Sequence, residues 1–149
     1  VRPPLRAESD RRALVAGVQS GVIDAIVSQH QPHDPAAKQA PLAATEPGLS
    51  SVESVLSLGL ELVQRGELAL GALIRALTAG PAAVIGRSAR LAQGEVADLC
   101  LFDPEAHWRP GEASLVSAGR HVPVDDRALP GVVRLTLVEG RRAWDALPT

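Results

Sequence analysis

The stretch IVSQHQPHDPAAK, Ile26–Lys38, decides how this chain is read. Its front half completes a short, β-branched apolar run, VIDAIVS (22–28), of the kind that forms a buried parallel strand. Its back half sets two histidines, an aspartate and a lysine directly after that run. In α/β proteins, ligands gather outside the carboxyl ends of such strands. Yet the first residue of the loop is Gln29, a carboxamide. The stretch reads either as an active site or as the remains of one.

Upstream, Pro3-Pro4 imposes an extended start. Ser9 and Asp10 are candidate caps for a helix over RRALVAGVQSG (11–21), where Leu14, Val15 and Val18 share a face and Gly21 closes the turn. A helix followed by a buried strand is half of a βαβ unit. Downstream, residues 29–50 form a loop without periodicity, long enough to be either functional or disordered. SSVESVLSLGLELVQRG (50–66) then opens with Ser50 and Glu53 at capping-box spacing. Val52, Val55, Leu56, Leu60 and Val63 give it an apolar stripe, and Gly66 ends it. A second helix, LALGALIRALTAG (68–80), uses Leu70, Leu73, Ile74 and Leu77 with Gly80 as its stop. PAAVIG (81–86) suggests a short third helix with Pro81 in its first turn. Beyond Gly86 the texture changes to short strands separated by Gly and Pro: GEVADLCLFDP, HWRP, HVPV and VVRLTLVEGRRAWD. The last reads as a hairpin about Glu139-Gly140. The division is therefore 1–85, α/β, and 86–149, a small β module.

Composition narrows the function. At 149 residues with 46% hydrophobic content, the chain can bury a core. Aromatic content of 2% leaves no stacking platform for bases or sugars. A net charge of −2, with Arg11-Arg12 and Arg141-Arg142 as isolated pairs, supplies no basic patch, so nucleic acid is not an expected partner. One cysteine, Cys100, excludes an internal disulfide. Its apolar setting predicts a buried, inert thiol. No apolar run reaches the ~18 residues of a membrane span and no signal peptide opens the chain. A soluble cytoplasmic protein is expected. The chain holds no methionine and begins in VRPPLR, which reads as the middle of a longer protein. His107 and His121 are expected at the surface, and Trp108 and Trp144 in core or edge packing.

The order and spacing of several motifs resemble the C-terminal part of dihydroorotases, in the cyclic amidohydrolase superfamily. PPLR (3–6) corresponds to that family's Asn-Pro-Pro-Leu-Arg strand end. SQHQPH (28–33) corresponds to Ser-Asp-His-Ala-Pro-His, with Lys38 as the lysine that follows. Pro41-Leu42, SVES (51–54), PAAVIG and GEVADLCLFDP follow in the family's order. The resemblance covers nearly the whole chain, and it implies a fold. Dihydroorotases are (β/α)8 barrels with a small β domain. A barrel takes ~250 residues, so this chain would be the C-terminal portion of a TIM-type barrel, its last βα units at 1–85, plus a small β module.

The resemblance also implies a damaged site. The family hydrolyses or closes a cyclic amide with metal-activated water, zinc in active relatives, using a His-x-His that this chain does not contain. His30, His33 and Asp34 fall short of a metal set, so no cofactor is expected. The family's general base is the aspartate whose position is Gln29, and a carboxamide is no base near neutral pH. His33 matches a histidine that helps hold the substrate carboxylate; the plainer reading is a loop histidine with a local hydrogen bond. Arg2 replaces an asparagine, Thr45 an alanine and Ser51 a glycine. The vestigial binding residues are thus His33, Arg2 and Thr45, with no catalytic and no metal residues. The implied function is that of a non-catalytic dihydroorotase-like protein, an oligomeric structural partner of aspartate transcarbamoylase in pyrimidine biosynthesis. The alternative is an active, metal-dependent cyclic amidohydrolase, converting carbamoyl aspartate to dihydroorotate, with its metal ligands in a preceding segment.

Overall fold

The computed structural model of the chain describes residues 1–111, 114–122, 124 and 127–147. Four helices come first: α1 (Glu8–Ser20), α2 (Val55–Gln64), α3 (Leu70–Leu77) and α4 (Ala79–Val84). Three strands follow, β1 (Leu99–Trp108), β2 (Leu129–Val138) and β3 (Arg141–Asp145), in one antiparallel sheet of order β1-β2-β3. No helix among the described residues is long and apolar enough to cross a membrane.

The helical core is built by the stripes read from the sequence. Val18, Leu60, Leu68, Leu73 and Ala76 form its buried centre, with Val15, Leu56, Val63 and Leu77 packed against it. Ile23 and Ile26 join from the 22–28 segment, and Phe102 of β1 closes it from the sheet side. Five stripe residues lie outside it: Leu14 on α1, Val52 before α2 and Leu70 at the start of α3 are 60%, 51% and 43% exposed, and Val55 and Ile74 are half-buried without joining it.

Several local expectations are corrected. Helix α1 begins at Glu8, before Ser9, and Asp10 reaches back to the Ala7 N–H at 3.1 Å, so it acts from inside the first turn. Gly21 closes α1 in the left-handed conformation, φ 79°, as the sequence predicts. Ser50 and Glu53 do not cap α2. The Ser50 hydroxyl donates to the Gly119 carbonyl at 2.7 Å, and the Glu53 carboxylate accepts from the Val116 and Ser117 amides at 3.0 and 2.9 Å. Both side chains serve a segment more than sixty residues away, which spacing alone cannot reveal. Gly80 is no stop: it lies inside α4 because the Asp24 carbonyl lies against it, where an added Cβ would sit 1.8 Å from that oxygen.

The run 22–28 joins no ladder among the described residues, and Val22 and Ile23 lie in a bend. Ile26 N–H bonds to the Ala76 carbonyl at 2.9 Å, while Val22 and Val27 are 80% and 70% exposed. A strand needs a neighbour, and among the described residues the only parallel pairing is the single bridge His30–Leu49.

In the sheet, HWRP is not a separate strand, because β1 runs through His107 and Trp108. Pro104 lacks an N–H, and Asp103 Oδ1 instead takes the Glu105 and Ala106 amides, at 3.0 and 3.1 Å. The ladder is irregular between Asp103 and His107 for this reason. Those bonds, with Arg134 beside the carboxylate, also lower the Asp103 pKa. HVPV includes Pro123, outside the described residues; His121 and Val122 are not in a strand. The β2–β3 hairpin turns at Glu139 and Gly140, both at positive φ, as expected. Trp108 is half-buried and donates to Ser57 Oγ at 2.9 Å, tying the sheet to α2. Trp144 on β3 is 50% exposed, and His107 and His121 are at the surface. Cys100 is exposed, contrary to expectation, as are its neighbours Leu99 and Leu101; desolvation still pushes its thiol up, against a hydrogen bond from Thr136.

Leu73→Ala should cost about 2–5 kcal/mol in urea unfolding, because Leu73 is fully buried. Leu70→Ala should cost less than about 1 kcal/mol. Equal losses would place the core on the other face of α3.

Candidate functional site

The loop after 22–28 is ordered. It is closed at its ends by the His30–Leu49 bridge and by Gln31 N–H to the Leu49 carbonyl at 2.9 Å. Two short 3-10 turns, Pro35–Lys38 and Leu42–Ala44, fill it, and Asp34 caps the first by accepting the Ala36 amide at 2.8 Å. A pocket of about 610 Å³ opens at its head, lined by Arg2, Gln29, Gln31, Pro32, His33, Glu46 and Pro47. Segments far apart in sequence thus bring Arg2, Gln29 and His33 together. Thr45 is not among the lining residues: its hydroxyl turns back to the Leu42 carbonyl at 2.8 Å and serves its own turn. The expectation that Thr45 helps line a binding site is corrected on that ground. Glu46 was not anticipated; as the one carboxylate at the pocket, it reaches it only through the fold of the loop.

The two loop histidines are committed to backbone partners. His30 Nδ1 accepts the Ser51 and Val52 amides at 3.1 and 3.2 Å. Both partners are N–H donors, so Nδ1 is the bare nitrogen and a neutral ring carries its proton on Nε2. His33 is in the opposite state: Nε2 lies 3.0 Å from the Pro47 carbonyl, which can only accept, so Nε2–H donates. Ser51, where the resemblance implies glycine, donates its hydroxyl to the Ser28 carbonyl at 2.6 Å and fastens the start of α2 to the 22–28 segment.

These commitments decide the fit of a metal. A ligating imidazole needs a bare nitrogen facing the ion, with its other N–H held by an acceptor. In His30 the bare nitrogen is spent on two amides. In His33 the bare Nδ1 stands alone, and Asp34 is engaged by its own turn. Among the described residues, no three His, Cys, Asp or Glu side chains gather into a metal-binding group. The donor set here does not fit zinc.

Gln29 has φ 51°, the left-handed region, where a side chain crowds its own backbone. At this turn of the backbone Gln29 lines the pocket.

No family model matches the chain. Among known proteins, it is 50% identical over 141 residues to a dihydroorotase-like protein of Pseudomonas aeruginosa and 52% identical over 141 residues to one of Pseudomonas putida. It is 40% identical over 142 residues to a dihydroorotase of Anaeromyxobacter dehalogenans. These alignments cover 94–95% of the chain but 33% of each relative. The chain therefore spans about a third of the relatives' length. Solved structures share its fold: a D-hydantoinase at TM-score 0.84 and 24% identity, and a dihydropyrimidinase from Brevibacillus agri at TM-score 0.87 and 20% identity. Each is matched over 97% of this chain and 33% of its own.

The Gln29 geometry sets a stability order. Gln29→Gly should fall within about 1 kcal/mol of the parent, because glycine relieves the left-handed crowding. Gln29→Val should lie about 1–2 kcal/mol below it. Urea unfolding of both variants checks this, and equal stabilities would mean that residue 29 is not held at positive φ.

Proposed function

This chain belongs to the dihydroorotase family of amidohydrolases, as its C-terminal part, and from that premise we propose that the whole protein is a non-catalytic member of the family. Its role is then structural: a partner of aspartate transcarbamoylase in pyrimidine biosynthesis. The observation that carries the reading is Gln29 at the pocket. A carboxylate there could take a proton from a nucleophilic water; a carboxamide keeps the shape and hydrogen bonding but cannot act as a base near neutral pH. The histidines support the same reading, since one ring nitrogen of each is used to hold the loop. The two relatives named dihydroorotase-like are also nearer in identity than the one named dihydroorotase.

The scaffold logic agrees. Folding needs the apolar stripes of α2 and α3, which are intact, and does not need a base in the loop. Selection for assembly preserves the first and releases the second. Loss of the base alone would allow altered specificity. Arg2, Ser51 and Gln29 departing together from the family pattern fit lost catalysis better.

A second reading has one observation in its favour. Glu46 places a carboxylate at the pocket, and an active cyclic amidohydrolase could use it as an unorthodox base, with zinc held by residues outside this chain.

The two readings separate in one set of assays on the full-length protein. The non-catalytic reading expects no interconversion of carbamoyl aspartate and dihydroorotate with added zinc, and no rescue by Gln29→Asp alone. It also expects one co-eluting complex with the organism's aspartate transcarbamoylase in size-exclusion chromatography with light scattering. Zinc-dependent turnover abolished by Glu46→Gln would establish the second reading. Two separate peaks at micromolar concentration would remove the structural role.

A further inference from the structure

Lys38 is the one lysine in a chain with fifteen Lys and Arg residues. It ends the 3-10 turn Pro35–Lys38, whose geometry sends the side chain back across the loop. There Nζ donates to the carbonyls of Glu46 and Gly48, the latter at 2.9 Å. The carbonyl between them, on Pro47, takes the His33 Nε2–H at 3.0 Å. Three consecutive carbonyls are therefore held by two side chains from the opposite arm of the loop. The arms are joined once more by Glu46 N–H to the Ala37 carbonyl at 3.2 Å. Gly48, at φ 143°, makes the approach possible: an added Cβ would stand 2.6 Å from the Gln31 carbonyl and 2.8 Å from His33 Nε2.

Glu46 and Pro47 are pocket wall. Without these bonds the wall would be a solvent-facing arm with carbonyls turned inward and no partner. The choice of lysine has a physical reason. An ammonium is compact and can direct separate N–H groups to carbonyls two residues apart, whereas a guanidinium spreads its donors over a planar, wider fork.

We propose that Lys38 is a positioning residue, the latch that fixes the 46–48 wall of the pocket against His33, and that losing its ammonium releases this wall while the helical core stays folded. The inference concerns the pocket's architecture and stands whether or not the protein turns over a ligand.

Two measurements on the full-length protein test it. The first is hydrogen exchange of Lys38→Met and Lys38→Arg against the parent. The methionine variant should accelerate exchange across residues 42–48, the Glu46 amide included, by about tenfold or more, because charged hydrogen bonds are lost there. Amides of α2 and α3 should be unchanged, and the arginine variant should fall between. Unchanged exchange in the methionine variant, or acceleration spread evenly over loop and helices, would overturn the latch. An arginine variant as protected as the parent would overturn the need for an ammonium. The second measurement needs no variant and decides the matter if Lys38→Met fails to fold. Acetylation of Lys38 by an N-hydroxysuccinimide ester, followed by peptide mass spectrometry, should run about tenfold or more slower in the native protein than in urea. Equal rates would show that the ammonium is not held.

Discussion

The imidazole of His30 accepts two successive backbone amides, those of Ser51 and Val52, and the rest of the loop depends on that contact. Its backbone bridges to Leu49, so one residue binds the end of the 22–28 segment to the start of the α2 region through both main chain and ring. Ser51 adds a third tie through the Ser28 carbonyl. With the ends fixed, the loop can close on itself through Lys38 and His33 and present Gln29 and Glu46 at one pocket. The cost is chemical. A ring nitrogen that accepts amides cannot also bind a metal, and neutral His30 keeps its remaining nitrogen protonated. The bonds that order the loop thus also occupy the His30 nitrogen that could have faced a metal.

The same hydrogen bonds explain how substitutions at the site coexist with an ordered loop. Ser51 adds a bond where the family pattern has glycine, and Gln29 lines the pocket with a polar side chain that carries no charge. The helical layer below does not sense either change, because its core contacts run through Leu60, Leu73 and Ala76. Stability and chemistry are separable here: the first resides in helix faces, the second in one loop.

Much of this was legible in the sequence, for reasons that particular residues make clear. Leu60, Leu73 and Val18 follow helical periodicity, a local signal, and all three are core. Glu139-Gly140 is a turn pair whose positive φ values are set locally, and the hairpin stands where it was expected. Arg2, Gln29 and His33, all singled out in the sequence, line one pocket. What failed was long-range. Ser50 and Glu53 have the spacing of a local cap yet serve residues 116–119, and Gly80 looks like a helix stop yet marks the Asp24 backbone. Cys100 sits in an apolar run whose Leu99 and Leu101 are exposed with it, so local hydropathy is a poor guide to its exposure. Thr45 stands next to Glu46 in the sequence, but its hydroxyl is satisfied by the Leu42 carbonyl of its own turn and it is not among the pocket's lining residues. Sequence spacing encodes faces and turns; it does not encode which distant carbonyl a serine will reach.

The state of the His30 ring tests the central claim most directly. Nitrogen-15 NMR of the full-length protein, histidine-labelled and titrated with zinc, reads the protonation of each ring nitrogen. The account predicts a bare Nδ1 and a protonated Nε2 on His30, unchanged by stoichiometric zinc, because the ring is bound to the Ser51 and Val52 amides. A zinc-induced shift of either His30 nitrogen to a metal-bound value would contradict it, making the loop a metal-binding element and restoring the case for catalysis.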